Sequence, residues 1–183
     1  MSQIHSNNVV RVRKSNIGTK IPSCDGLITN DPGVTLSIRV ADCLPIFISD
    51  LKNDAIGLVH AGWRGLDSEI IKNTIGLMAT KFGSNPKNMA IFMGCHICKK
   101  HYEIKEDLVT KFRKYKGCVV TKEGKIFLDL AKVAKLQLIE LGINAKKIKV
   151  DESCTFEDKN LYSFRRDGTE NRNVFIFQSR SGI

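Results

Sequence analysis

The chain has 183 residues, 42% hydrophobic and 26% charged, with a formal net charge of +10. That length suits one domain with a sizeable core, and the composition is that of a water-soluble globular protein rather than a disordered or fibrous one. No apolar run approaches a membrane span, and the start, MSQIHSNNVVRVRKS, lacks the apolar stretch of a secretory signal, so a cytoplasmic protein with no membrane partner is expected.

The first clear element is VTLSIRV, Val34 to Val40, whose alternation of apolar and polar residues predicts a half-buried strand. LPIFIS (44–49) and AIGLVH (55–60) are short apolar runs parted by the turn-rich DLKND, which predicts an antiparallel hairpin. From Asp67 to Phe82, Ile70, Ile71, Thr74, Ile75, Leu77 and Met78 recur at helical spacing, with Asp67 or Ser68 as the N-cap. MAIFM (89–93) reads as a strand and 106–115 as a short helix. LAKVAKLQLIELG (130–142) is an amphipathic helix stopped by Gly142. KIKV (147–150) and NVFIFQ (173–178) read as closing strands. With no repeat or linker, the expectation is one α/β domain over residues 1–183, its strands mixed and partly hairpin-connected.

In the cytoplasm the six cysteines are thiols, ligands or catalysts before they are disulfides. The positive charge would suit nucleic acid, but the lysines are scattered and no aromatic-interleaved basic stripe occurs. A small anion such as phosphate fits the charge as well, and nucleic acid is not the expected partner.

IGLVHAGWRG, Ile56 to Gly65, concentrates the chemistry. An apolar strand ends on His60 and passes at once into a glycine-bracketed turn holding the chain's one tryptophan and Arg64. In a hairpin the sum of paired residue numbers is constant. A tight turn within DLKND places Cys43 across from His60, to within a residue or two. Opposed Cβ atoms lie roughly 4.5–5.5 Å apart, close enough for one ion to bridge a thiolate and an imidazole. Each residue alone reads as ordinary, a small core cysteine or a capped strand end. Together they read as a metal or catalytic pair. Arg64 fits a phosphate at a helix start, or a surface carboxylate, and Trp63 fits the core. Cys95, Cys98 and His101 in GCHICKKHYE also have zinc-like spacing. They lack an obvious fourth ligand nearby, so an ordinary reduced loop is expected there.

The motifs ADCLPIF, GLVHAGWRGL, HYEI and YSFRRDGTENR, in this order, resemble the YfiH/laccase-domain family, also called the polyphenol oxidase or purine nucleoside phosphorylase family. The resemblance runs from QIHS to FIF. It implies a layered α/β/β/α fold around a mixed sheet. It also implies a zinc ion held by His5 of QIHS, Cys43 of ADCLP and His60 of HAGWRG. Three protein ligands with one open position is the pattern of a catalytic zinc. The implied reaction is phosphorolysis of purine nucleosides to base and ribose 1-phosphate, with adenosine deamination and methylthioadenosine phosphorolysis as companions. The implied partners are therefore a small nucleoside and phosphate, in a monomer or homodimer.

Within that frame Arg64 is the first choice to hold phosphate, with Arg165 or Arg166 second. Asp42, beside a ligand, either orients it and moves protons or is a buried structural aspartate. Copper is the less expected metal, because four histidines are too few for a multicopper centre. Two departures stand out. The chain starts four residues before His5, without the longer leading segment of the family, so His5 is expected near a fraying terminus and a non-catalytic remnant is an alternative. The family's G-P-x-I-G-P loop is here GCHICK. A metal-independent cysteine hydrolase, with Cys43 as nucleophile and His60 as base, is the other alternative.

Overall fold

The computed structural model describes residues 1–179. Along the chain run β1 (Val9–Arg11), β2 (Gly26–Thr29), β3 (Thr35–Val40), β4 (Leu44–Asp50), β5 (Ala55–Ala61), α1 (Trp63–Asp67), α2 (Ile70–Phe82) and β6 (Met89–Met93). There follow β7 (Glu103–Ile104), α3 (Glu106–Phe112), β8 (Val119–Lys122), β9 (Lys125–Leu128), α4 (Leu130–Glu140), β10 (Ile148–Val150), α5 (Phe164–Asp167) and β11 (Asn173–Gln178). Six strands form one sheet in the order β1-β2-β5-β4-β6-β10, antiparallel except for the parallel outer pairs. This is the α/β architecture with a mixed sheet core that was expected.

β5 is fully buried along its length because both faces of the sheet are covered. Ala55, Val59 and Ala61 face the larger core with Ile70, Ile71, Ile75 and Met78 of α2 and Val133, Ala134 and Leu138 of α4. Ile56 and Leu58 face the other way, against Leu36, Ile38 and Val40 of β3. β3 pairs antiparallel with β11 as a two-stranded ribbon over that second face. By the alternation of side chains, His60 belongs to the ribbon-side face of β5.

One expectation needs correction, and another lands at the edge of its range. The helix foreseen from Asp67 to Phe82 is two helices. The Ser68 hydroxyl and backbone N–H both donate to the Arg64 carbonyl, closing α1, and Glu69 turns the chain through a left-handed conformation at φ 64° into α2. Glu69, not Asp67 or Ser68, is thus the N-cap of the long helix, and Arg64 stands on a short helix rather than on the approach to one. The hairpin register falls at the edge of the residue or two expected. Leu51–Asp54 form a four-residue loop, and His60 pairs with Pro45 rather than Cys43. The slip is two residues, an even number, so Cys43 and His60 keep the same face and become diagonal neighbours.

Candidate metal centre

The site forms where β5 runs out. His60 is its penultimate residue, and Gly62 turns the chain into α1. Cys43 immediately precedes β4, and His5 arrives on the segment before β1. Donor atoms of His5, Cys43 and His60 all lie within 4.8 Å of one another. The two imidazoles meet edge to face, ring centroids 4.8 Å apart. Gly62 makes this convergence possible: a Cβ there would stand 2.9 Å from Cys43 Sγ and 3.3 Å from His5 Cδ2.

Behind the three residues lies Asp25, fully buried, which sequence reasoning missed. Its carboxylate accepts a hydrogen bond from His60 Nδ1 at 2.8 Å, leaving Nε2 as the ring's free donor atom. It also accepts from the backbone N–H groups of Ile4, His5 and Ser6 at 3.2, 3.0 and 2.7 Å, and from the Ser6 hydroxyl at 2.8 Å. One carboxylate therefore orients one candidate ligand and fastens the segment carrying another. The expected fraying at His5 is not what the structure has: the segment is pinned. Asp25 was hard to find from sequence because SCDG carries only turn chemistry and no ligand spacing.

The electrostatics follow from these contacts. Burial opposes ionisation of Cys43, but hydrogen bonds from His5 and His60 outweigh it and bring the thiol down to about 6. Burial opposes charging of His60, but Asp25 and then Cys43 hold its imidazolium up to about 9. Burial likewise works against Asp25, yet His60 and Ser6 keep its carboxyl well below the usual carboxylate range. Each group thus favours the charged form of the other, Cys43 toward thiolate and His60 toward imidazolium. Thiolate is also the form that binds metals and attacks electrophiles.

Around the centre the other foreseen residues separate. Arg64 is exposed, lies over the Trp63 ring at 4.4 Å and forms no ion pair among the described residues. Arg165 lies 5.2 Å over the ring of Tyr102 and donates through one nitrogen to the Glu103 carbonyl. Arg166 is spent. Its guanidinium donates to the carbonyls of Thr155, Phe156, Asp158 and Leu161 and makes a two-pronged contact with Asp167. The phosphate role foreseen for Arg166 therefore has no donor left to perform it. Asp42 accepts from the Thr155 hydroxyl at 2.6 Å and the Arg165 backbone N–H at 2.8 Å. Its carboxylate docks α5 against the site and leaves the ligands to Asp25. Tyr102 was quoted in a motif and given no role. It is half-buried near Cys43, Arg165 and Arg64. Burial and then Cys43 raise its hydroxyl above the ordinary phenol range, with the arginines pulling the other way, so it stays a donor.

The second cluster is rearranged. Cys95 is buried apart, while Cys98 comes together with Cys154 and Glu157. The two remaining histidines, His96 and His101, bond to the Gly94 carbonyl and to Glu157, away from the first centre.

A family model described as multi-copper polyphenol oxidoreductase laccase matches residues 1–177. A purine nucleoside phosphorylase of Corynebacterium glutamicum is 34% identical over 179 residues, 96% of this chain and 72% of that protein. The purine nucleoside phosphorylase YlmD of Geobacillus stearothermophilus is 32% identical over 185 residues, 93% of this chain and 68% of that protein. The crystal structure of YlmD from that organism superposes with a TM-score of 0.92 at 29% identity, over 98% of this chain and 72% of that one. That of the Bacillus licheniformis hypothetical protein YfiH does so with a TM-score of 0.90 at 26% identity, over 98% of this chain and 72% of that one. No helix among the described residues is long and apolar enough to cross a membrane.

Proposed function

The chain belongs to the family described as multi-copper polyphenol oxidoreductase laccase, and from that premise we propose that it is a zinc-dependent purine nucleoside phosphorylase, acting on adenosine and inosine, with methylthioadenosine as a further substrate and adenosine deamination as a companion reaction. The observation that carries this reading is the convergence of His5, Cys43 and His60 in front of a buried Asp25. Relatives at 34% and 32% identity bear the name purine nucleoside phosphorylase, which supports the substrate class.

The residues fit zinc. One thiolate and two imidazoles leave one of four tetrahedral positions open. The Asp25–His60 hydrogen bond is the outer contact that metal-bound histidines use to fix ring and tautomer. The hollow that Gly62 leaves is where Sγ and the His5 ring meet. They fit a multicopper centre poorly, since two of the four histidines lie elsewhere. When bound, zinc supplies a Lewis acid that polarises a substrate oxygen.

The chain's own groups account for the rest. In phosphorolysis a phosphate oxygen bonds to C1′ of the ribose as the bond from C1′ to the base breaks. Arg64, unpaired among the described residues and stiffened by its stack on Trp63, offers a planar fork to the phosphate. Arg165 presents its remaining N–H groups beside Tyr102. Tyr102, kept protonated, holds a hydroxyl donor at the rim. Asp42 keeps α5, and with it Arg165, at the required place. The test is release of base from inosine and adenosine with and without phosphate. Release that needs phosphate and yields ribose 1-phosphate supports the reading; no release from either nucleoside rejects it.

The line Cys43, His60, Asp25 also has the order of a nucleophile, base and orienting acid, which favours a metal-independent cysteine hydrolase as the second reading. Metal content separates the two: full turnover by a metal-free preparation belongs to the second.

A further inference from the structure

Away from the first centre, two loops face each other with the same local build. In one, the Cys98 carbonyl accepts from the backbone N–H groups of His101 and Tyr102 at 3.0 and 3.1 Å. In the other, the Cys154 carbonyl accepts from those of Glu157 and Asp158 at 3.1 and 2.9 Å. Each turn thus presents two donor side chains three residues apart: Cys98 with His101, and Cys154 with Glu157. Pairs at this spacing on tight turns are how structural zinc sites collect their ligands.

The side chains converge. Donor atoms of Cys98, Cys154 and Glu157 lie within 4.8 Å of one another. His101 Nε2 stands outside that set but 3.0 Å from Glu157 Oε1, its ring stacked on Phe156 at 4.3 Å between centroids. Donors about 2.0–2.1 Å from a tetrahedral ion sit roughly 3.3 Å from each other, so that separation suits two ligands of one ion. The Cys98 backbone N–H donates to Cys154 Sγ at 3.1 Å, an outer contact of the kind that steadies a metal thiolate. Cys154 is buried, Cys98 half-buried, and Glu157 reaches in from the surface, where it accepts from Cys98 Sγ at 3.9 Å and makes a long 3.8 Å contact with Lys100.

We propose that Cys98, Cys154, Glu157 and His101 form a second metal site, structural in kind and suited to zinc. It would clamp the β6–β7 connection, which carries Tyr102, to the loop before α5. Both loops already touch Asp42, whose carbonyl accepts from the Ile97 N–H and whose carboxylate accepts from the Thr155 hydroxyl. A metal here therefore braces the floor of the first centre without taking part in its reaction. The sequence does not suggest this set because two of the four donors lie more than fifty residues further on, and Cys95, the tempting neighbour, is buried apart.

The test uses Co²⁺ alone as the probe, since cobalt bound by thiolate absorbs strongly in the near ultraviolet. In Cys43→Ser protein the first centre has no thiolate. It is expected to take up one equivalent of Co²⁺ with a thiolate band, and to lose that band when Cys98→Ser and Cys154→Ser are added. Glu157→Ala, a surface change, is expected to weaken uptake at least about tenfold. Folded Cys43→Ser protein, checked by circular dichroism, that shows no thiolate band with Co²⁺ overturns the proposal. So does a band that survives loss of both cysteines. If Cys43→Ser does not fold, the wild type decides: two bound equivalents are expected, and a wild type that binds no more Co²⁺ than Cys98→Ser/Cys154→Ser protein overturns the second site. Zinc at the first centre is read separately, in Cys98→Ser protein, so either site can fail without the other.

Discussion

The molecule holds two clusters of cysteine, histidine and carboxylate, and they are built in opposite ways. At the first, the carboxylate of Asp25 is fully buried behind the ligands and holds two of them in place, and the thiol of Cys43 is drawn down to about 6. At the second, the carboxylate of Glu157 stands among the donors at the surface, and burial and the neighbouring Cys154 push the Cys98 thiol up to about 11. The same residue types become a prearranged reactive centre or a surface clasp according to what surrounds the thiol. A buried acid behind a histidine fixes geometry and charge in advance; burial and a second thiol beside Cys98 raise the cost of ionising it until a cation arrives.

Removing the thiolate of the first centre acts on the reacting group itself. Cys43→Ala is expected to reduce base release from inosine by about a thousandfold or more, the loss of a group at the reacting centre, while the far-ultraviolet circular dichroism stays native. The second-largest effect belongs to Asp25. Asp25→Asn keeps the shape but weakens its hold on His60 and the His5 segment, and zinc affinity is expected to fall about 10–100-fold.

The acid limb sharpens the same point. The carboxyl of Asp25 has its pKa lowered in the fold, so the stability it contributes is present above the unfolded value, about 3.9, and disappears as pH falls through the lower folded value. Wild type and Asp25→Asn should therefore differ most in urea midpoint above about pH 4 and converge in stronger acid. In metal-stripped protein the Cys43 thiolate absorbance should rise near pH 6, rather than near the ordinary thiol value of about 8.5.

Gly62→Ala places a methyl group 2.9 Å from Cys43 Sγ and 3.3 Å from His5 Cδ2, so zinc content should fall while the sheet persists. The arginines give the smallest and most selective effects. Arg64→Ala should raise the phosphate KM by about ten- to hundredfold, the worth of charged hydrogen bonds, and leave any deamination nearly intact. Arg166→Ala should do the reverse, lowering the melting temperature with no change in phosphate KM, because that guanidinium holds carbonyls. Equal losses of phosphorolysis and deamination in Arg64→Ala would remove it from the phosphate role.

What was legible in the sequence follows physical lines. The strong periodic runs, β3 to β6 and α4, stand close to where alternation and helical spacing put them, because burial on a face writes itself into sequence at fixed period. The face shared by Cys43 and His60 was legible for the same reason, and it survived a register slip of two because the strand period is two. β2, only four residues and buried throughout, carries no alternation to read. The break at Ser68–Glu69 depends on a side-chain hydrogen bond and one left-handed residue, neither visible as a pattern. Asp25 and the Cys154–Glu157 half of the second cluster are contacts across long stretches of chain, which only the folded topology brings together. Arg165 and Arg166, adjacent in sequence, were indistinguishable there, and in the fold one leans on Tyr102 while the other is buried in carbonyls.

The proposed function rests on a zinc ion held by His5, Cys43 and His60. Its most direct test is ribose 1-phosphate formation from inosine and phosphate by Cys98→Ser/Cys154→Ser protein. The double change confines metal to the first centre. It is measured as purified, after chelator treatment, and after return of one equivalent of zinc. Activity is expected to disappear with the metal and to return in proportion to the zinc restored. Undiminished turnover by the stripped protein, with no metal detectable, would contradict it and leave Cys43 and His60 as a metal-free pair.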